Sequence, residues 1–168
     1  MEDSFKTNLW NQFGAAIDML ENAVAACPDT LWNDSSQFWY NAYHTIFFLD
    51  YYLTEDPDNF FPPEPYTLSE FDSEGALPER VYDKNELLAY IKFCREKCRK
   101  LISSLSDENM KKRFTNQYRN YSRFEIILYN MRHVQHHAAQ LNLLMRQSGI
   151  EPPDWVSRTK IELESELK

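Results

Sequence analysis

Apolar residues in the first 26 positions recur at intervals of three and four, which is the spacing of one face of an α-helix. This stripe consists of Leu9, Phe13, Ala16, Ile17, Leu20 and Val24. The sequence Cys27-Pro28-Asp29 follows, and its proline lacks the backbone donor that a continuing helix would need. We therefore predict a first helix from about Ser4 to Ala26.

A second helical segment is apolar on most of its sides. It begins near Ser35 or Ser36, which are both suitable N-caps, and runs to about Thr54. Its aromatic residues are Phe38, Trp39, Tyr40, Tyr43, Phe47, Phe48, Tyr51 and Tyr52. Because a helix with so little polar surface must be covered by others, we expect it at the centre of the fold.

Residues 55–82 break the helical pattern. They contain five prolines, namely Pro57, Pro62, Pro63, Pro65 and Pro78. The segment is far longer than an ordinary helix–helix turn, so it could reach the far end of a bundle and let the next helix run parallel to the second. Its aromatic residues favour packing over the bundle, and a lid over an active site is the alternative.

The third helix is predicted from an Asp83 N-cap to about Leu105, since apolar residues again recur at helical spacing between these positions. These residues are Leu87, Tyr90, Ile91, Cys94, Cys98, Leu101 and Ile102. A short helical turn is expected after Ser106, because the acidic Asp107 and Glu108 suit the positive N-terminal end of a helix.

The fourth long helix is predicted from about Ser122 to Gln147. Ser122 and Glu125 have the spacing of a capping box, and Ser148-Gly149 is a typical helix stop. We expect a further short amphipathic helix in the tail that starts at Asp154.

Four long helices with one long crossover between the second and the third predict an all-α four-helix bundle. A chain of 168 residues is long enough to bury one substantial core. We therefore expect a single domain over residues 1–168, with its core at about 4–150 and a tail at 151–168.

The charge of the chain argues against nucleic acid as a partner. The net charge is −8 and the pI is about 5.0, and no stretch concentrates the lysines and arginines that phosphate binding requires. No run of about 18 apolar residues predicts a membrane span, and the N-terminus lacks the pattern of a signal peptide. The odd number of cysteines, three, does not suggest a disulfide framework. We expect a cytoplasmic protein with reduced thiols.

The histidines are the candidate chemistry. Three of the four lie within five residues, at His133, His136 and His137, and the fourth is His44. Helical residues four apart share a face, so His133 and His137 can point at one spot and hold a transition metal with His44. We expect Zn²⁺ or Ni²⁺, with Fe²⁺ or Mn²⁺ as alternatives. The alternative is that these are core or surface histidines satisfied by neighbouring side chains.

Other polar residues are candidates for the surroundings of this site. His136 lies about 60° around the helix from His133, on the side away from His137, so we expect it at the edge of the site. Gln140, Asn41, Tyr43 and Asp50 either line the pocket or bond to neighbouring helices. We expect Cys94 and Cys98 to be buried as small apolar residues.

Two motifs carry a resemblance to a known family. The first is Trp39-x4-His44, and the second is His133-x2-His136-His137-x2-Gln140-x3-Leu144-x-Arg146. With a proline-rich crossover between them, over roughly residues 4–150, the chain resembles the DinB/YfiT-like superfamily. One departure is that Ala138-Ala139 stand where many members carry Arg-Gly.

The resemblance implies a four-helix bundle with a crossover between helices two and three, and the metal ligands His44, His133 and His137. It also implies a function. Several members are glutathione-independent transferases that join a low-molecular-weight thiol to a substrate, or isomerases that use such a thiol, and many members have no known activity.

Three function hypotheses follow. The leading one is a thiol-dependent S-transferase or related small-molecule transferase with a three-histidine metal site, acting on a small molecule. The second is a metal-dependent hydrolase, which needs a general acid or base. Neither ligand motif supplies one, although the crossover could. The third is a non-catalytic metal-binding stress-response protein. We also expect a homodimer, since dimers are common among bundles.

Overall fold

The computed structural model describes residues 3–163 and is mainly helical. In chain order the elements are α1 (Asp3–Ala26), α2 (Asp29–Trp32), α3 (Phe38–Tyr52), α4 (Lys84–Ser103), the strands β1 (Arg113–Thr115) and β2 (Asn120–Ser122), and α5 (Arg123–Gln147). Three single turns of 3₁₀-helix occur at Pro57–Asn59, Ser69–Phe71 and Asn109–Lys111. No helix in this part of the chain is long and apolar enough to cross a bilayer.

The four long helices pack as a bundle. Helices α1 and α3 each pack against both α4 and α5, so the four surround a common core in the order α1, α4, α3, α5. The largest fully buried side chains include Trp10, Phe13, Phe38, Tyr43 and Phe47. The predicted all-α four-helix bundle is confirmed, and 11 of the 15 residues of α3, one of its four helices, are buried.

Helices α3 and α4 run parallel, as the long crossover predicted. Cys94 contacts the Ile46 carbonyl, and one turn further along both helices Lys97 donates to the Asp50 carboxylate. For two consecutive helices to run parallel, the chain between them must return along the whole bundle. Residues 55–82 form this return path. Their aromatic side chains pack over the helices: Tyr66 stacks on Tyr90 with ring centroids 4.1 Å apart.

The start of α3 differs from the prediction. Neither Ser35 nor Ser36 is the N-cap. That position is held by Gln37, in a left-handed conformation with φ of 52° and no capping side chain. The Ser36 hydroxyl donates instead to the side chain of Asp34. The side-chain amide of Asn41 donates to the carbonyl oxygens of Ser36 and Gln37, which ties the first turn of α3 to the chain just before it.

The other predicted helix boundaries fit better. Asp83 forms a full capping box with Glu86 at the start of α4. Ser122 caps α5 by accepting a hydrogen bond from the Glu125 amide. The helical turn expected after Ser106 is the 3₁₀ turn at Asn109–Lys111. The short α2 and the hairpin of β1 and β2 were not predicted.

The tail does not form the predicted helix over residues 154–163, and residues 164–168 lie outside the described residues. It runs as irregular chain along α1, where its backbone is held in place. The Thr159 amide donates to the Asn11 carbonyl at 3.1 Å, and the Trp10 indole donates to the Ile161 carbonyl at 2.7 Å. These bonds to α1 take the place of the hydrogen bonds that a helix would make within itself.

The docking of the tail explains a glycine inside α1. A Cβ atom at Gly14 would lie 2.6 Å from Cγ2 and 2.9 Å from Cβ of Thr159. We predict that Gly14→Ala lowers the melting temperature, even though alanine favours a helix by about 1 kcal/mol. In a Thr159→Gly background the clash is absent, so the same change should become stabilising. A double-mutant cycle by thermal or urea unfolding measures this, and additive effects would contradict it.

Candidate metal centre

The candidate centre lies between two antiparallel helices, α3 and α5. Their register is set by a buried hydrogen bond in which the Asn130 amide donates to the Leu49 carbonyl at 3.0 Å. Near it, the rings of Tyr52 and Tyr129 meet edge to face. With this register, His44 on α3 faces His133 and His137 on α5, which are one helical turn apart.

The three histidines converge on one point. Their nearest ligand atoms all lie within 4.8 Å of one another. The ring centroids of His133 and His137 are 4.4 Å apart, and His44 lies 5.0 Å from His137 and 5.7 Å from His133. Two nitrogens that each lie about 2.1 Å from a tetrahedral metal are roughly 3.4 Å apart. Modest ring rotations would therefore close this triad on one ion.

The environment keeps two of these rings neutral. The pKa of His133 is lowered to about 3, mainly by burial, with contributions from nearby His137 and His44 and smaller ones from His136 and Arg119. Burial, followed by His44, lowers the pKa of His137 to about 4. At neutral pH both rings therefore have a free lone pair, which is the form that binds a metal.

Side chains outside the triad orient two of its members. Glu70 Oε2 lies 2.6 Å from His44 Nδ1, and Gln140 Oε1 lies 2.7 Å from His137 Nδ1. A carboxylate or amide oxygen can only accept, so both Nδ1 atoms carry protons and both Nε2 atoms keep a lone pair for a metal. Metal-binding histidines in proteins are typically held in this way.

The chemistry of the triad fits a transition metal. Three imidazoles are a donor set that Zn²⁺ and Ni²⁺ accept. Nδ1 of His133 is buried and has no hydrogen-bond partner among the described residues, so nothing in that part of the protein fixes which nitrogen of His133 carries the proton. The residues present therefore fit the ion, with His44, His133 and His137 as its candidate ligands.

Aromatic side chains form a wall beside the triad. The Phe48 ring lies 4.9 Å from that of His44 and 5.9 Å from that of His133. Tyr52 lies 5.9 Å from His133, and Phe71 from the crossover packs on Phe48. An apolar wall next to polar groups is typical of a small-molecule site.

Sequence comparison identifies the family. The family model of the DinB superfamily matches residues 12–141, which is most of the chain and includes all four histidines. This chain belongs to the DinB superfamily. No curated protein matches its sequence significantly. The resemblance seen in the motifs is thus confirmed, and the helical bundle is the one expected for a DinB domain.

The structure of this DinB domain brings together the three histidines predicted as metal ligands. Their role as ligands stays a prediction, but their convergence shows that they could hold one ion. His136 is exposed and lies beside the triad, with its ring 5.1 Å from that of His137. Gln140 reaches the triad through its bond to His137.

Three other candidates bond to neighbouring segments instead of the triad. Asn41 donates to the carbonyl oxygens of Ser36 and Gln37 at the start of its own helix. The Tyr43 hydroxyl donates to the Thr67 carbonyl in the crossover. Asp50 is buried against α4, where it accepts hydrogen bonds from Tyr90 and Lys97. Only the contacts of Asp50 match the alternative of a bond to a neighbouring helix, because Asn41 bonds next to its own helix and Tyr43 bonds to the crossover.

Glu70 is the site residue that sequence reasoning missed. It lies in the 3₁₀ turn Ser69–Phe71 of the crossover, and only 3% of its side chain is exposed. Its second oxygen, Oε1, is buried with no hydrogen-bond partner in the described chain. A buried polar group needs a hydrogen-bond partner, and the Nδ1 proton of His44 supplies one to the first oxygen, Oε2.

We predict that the purified protein binds about one equivalent of Zn²⁺ or Ni²⁺, and that His137→Ala loses most of this binding. His136→Ala is the matched control, because it removes a neighbouring exposed histidine from outside the triad. Elemental analysis after reloading and dialysis measures the stoichiometry. Equal metal content in the two variants would contradict the three-histidine site.

We predict that Glu70→Gln weakens metal affinity by about tenfold and Glu70→Ala by more. Loss of a residue that orients a ligand typically costs 10–100-fold, and glutamine keeps an acceptor but not the charge. Competition with a chromophoric chelator gives the dissociation constants. Glu74→Gln, an exposed change in the same crossover, should bind like wild type. Wild-type affinity in both Glu70 variants would refute the role of Glu70.

Proposed function

We propose that this DinB protein is a metal-dependent S-transferase, or a related small-molecule transferase, that joins a low-molecular-weight thiol to a substrate. The observation that carries the proposal is the half-exposed three-histidine cluster between α3 and α5. Three imidazole ligands leave coordination positions for other molecules. Because none of the three rings is fully buried, those positions can be reached from solvent.

The protein's own cysteines are poor candidates for the nucleophile. Cys27, Cys94 and Cys98 are all buried. Burial raises the pKa of Cys27 to about 12, and it also raises the pKa of Cys94 and Cys98. Thiols in this state are inert. If the reaction uses sulfur, the thiol must therefore come from a second small molecule.

In this reaction the thiol sulfur forms a bond to an electrophilic carbon, a leaving group departs with its electron pair, and the thiol proton passes to water. The bound metal would supply the acidity that turns the thiol into a thiolate near neutral pH. Glu70 and Gln140 hold the rings of His44 and His137 in the orientation that keeps both Nε2 atoms available. Phe48, Tyr52 and Phe71 offer an apolar surface to the carbon skeleton of the substrate.

The contacts of Glu70 favour the transferase over the alternative of a metal-dependent hydrolase. A hydrolase needs a carboxylate or another base free to take a proton from the attacking water. Glu70 is the carboxylate that the crossover brings to the triad. Its Oε2 already accepts a hydrogen bond from His44, and its Oε1, although unpaired, is buried from solvent. This pairing suits a group that positions a ligand.

We predict that thiols bind directly to the Co²⁺-loaded protein. Addition of 2-mercaptoethanol should produce an intense sulfur-to-cobalt absorption band in the near ultraviolet and shift the visible bands. His136→Ala should behave like wild type, whereas His137→Ala should give no protein-bound spectrum. Unchanged spectra across a panel of thiols would contradict the proposed transferase function. Turnover of esters or amides would then favour the hydrolase.

A further inference from the structure

Arg119 is placed next to the aromatic wall by the hairpin that precedes α5. The turn between β1 and β2 is closed by a hydrogen bond from the Asn116 amide to the Arg119 carbonyl. The Asn116 side chain accepts from the Arg119 amide and donates to the Tyr51 hydroxyl at 3.0 Å. The turn is thus fixed to α3, and Arg119 leaves it in a defined direction.

Two tyrosines orient the guanidinium. Its central carbon lies 4.8 Å from the ring centroid of Tyr129 and 5.4 Å from that of Tyr52. Nη2 donates to the Tyr129 hydroxyl at 2.7 Å. Since the Tyr52 ring also packs 5.9 Å from His133, only one aromatic ring separates the guanidinium from the triad.

The guanidinium has no carboxylate partner within 4.0 Å among residues 3–163. Some other arginines of this acidic chain do have one: Arg95 pairs with Asp18 and Glu21, and Arg80 pairs with Glu86. An arginine carries five donors in a planar fork, and Arg119 directs one of them to Tyr129. A half-buried cation that is oriented but not neutralised can receive an anion.

We propose that Arg119 binds a carboxylate of the small molecule that occupies the triad, and so selects carboxylate-bearing substrates. The role of this carboxylate in thiol transfer rests on the proposed function, whereas the binding of an anion by Arg119 does not. A single planar fork matches the two oxygens of one carboxylate. In a chain with a net charge of −8, an anionic substrate needs such a local cation. The carboxylate belongs to either the thiol or its electrophilic partner.

The test compares matched ligands on the Co²⁺-loaded protein by spectrophotometric titration. The first pair is 3-mercaptopropionate and 2-mercaptoethanol, which differ in the carboxylate. The second pair is succinate and propionate. Each has one carboxylate that can bind the metal, and only succinate has a second one that can bind Arg119. The proteins are wild type, Arg119→Gln, Arg119→Lys and, as the control, Arg132→Gln, which removes an exposed arginine from the surface of α5.

We expect wild type and Arg132→Gln to prefer the carboxylate-bearing member by about tenfold or more, as one charge-assisted hydrogen-bonded pair allows. Arg119→Gln should lose this preference without weaker binding of 2-mercaptoethanol. Arg119→Lys should keep part of this preference, since the positive charge remains but the planar fork of donors does not. The Lys variant also serves as a control in case the Gln variant misfolds. A preference in the thiol pair assigns the carboxylate to the thiol, and one in the succinate pair alone assigns it to the electrophile.

The remaining outcomes separate the two proposals. If thiols bind but neither pair depends on Arg119, the anion site is overturned and the transferase stands. If thiols do not bind but succinate binds in an Arg119-dependent way, the anion site is supported and the proposed thiol transfer is contradicted. Absence of binding by both pairs overturns both.

Discussion

The register between α3 and α5 is the constraint on which the site depends. It is fixed inside the bundle by the hydrogen bond from the Asn130 amide to the Leu49 carbonyl. That carbonyl belongs to a helical backbone, so the bond couples the two helices at one defined height. A slip of α5 by one turn would move its histidines about 5.4 Å along the axis, which exceeds the 4.8 Å spread of the triad's ligand atoms. The core of the bundle therefore determines whether the triad exists.

The crossover is the second element that the site requires. Because α3 and α4 run parallel, the chain between them must return along the bundle. This return path brings Ser69–Phe71 over the middle of α3, where His44 lies. One 3₁₀ turn then contributes Glu70 to His44 and Phe71 to the aromatic wall. The topology of the bundle thus supplies a carboxylate that neither ligand-bearing helix contains near the triad.

Structural features that depend on residues close together in the chain could be predicted from the sequence. Helical spacing located the four long helices, and the four-residue interval of His133 and His137 placed both on one face. Glu70 could not be found in this way, because its position depends on the path of an irregular segment over the bundle. The hairpin was missed since three-residue strands are too short to show an alternating pattern. The start of α3 was predicted near Ser35 or Ser36. Gln37 adopts a left-handed conformation instead, so the helix begins only at Phe38.

The depth of the triad reconciles two opposing demands. Full exposure would leave histidines near their ordinary pKa, so that protons would compete with a metal in mildly acidic conditions. Complete burial would keep the rings neutral but would close the route by which a substrate reaches the ion. The half-buried triad lies between these limits: burial is the largest cause of the low pKa of His133 and His137, and one side stays open. Bundle and crossover thus cover part of the triad and leave each of its three rings partly exposed.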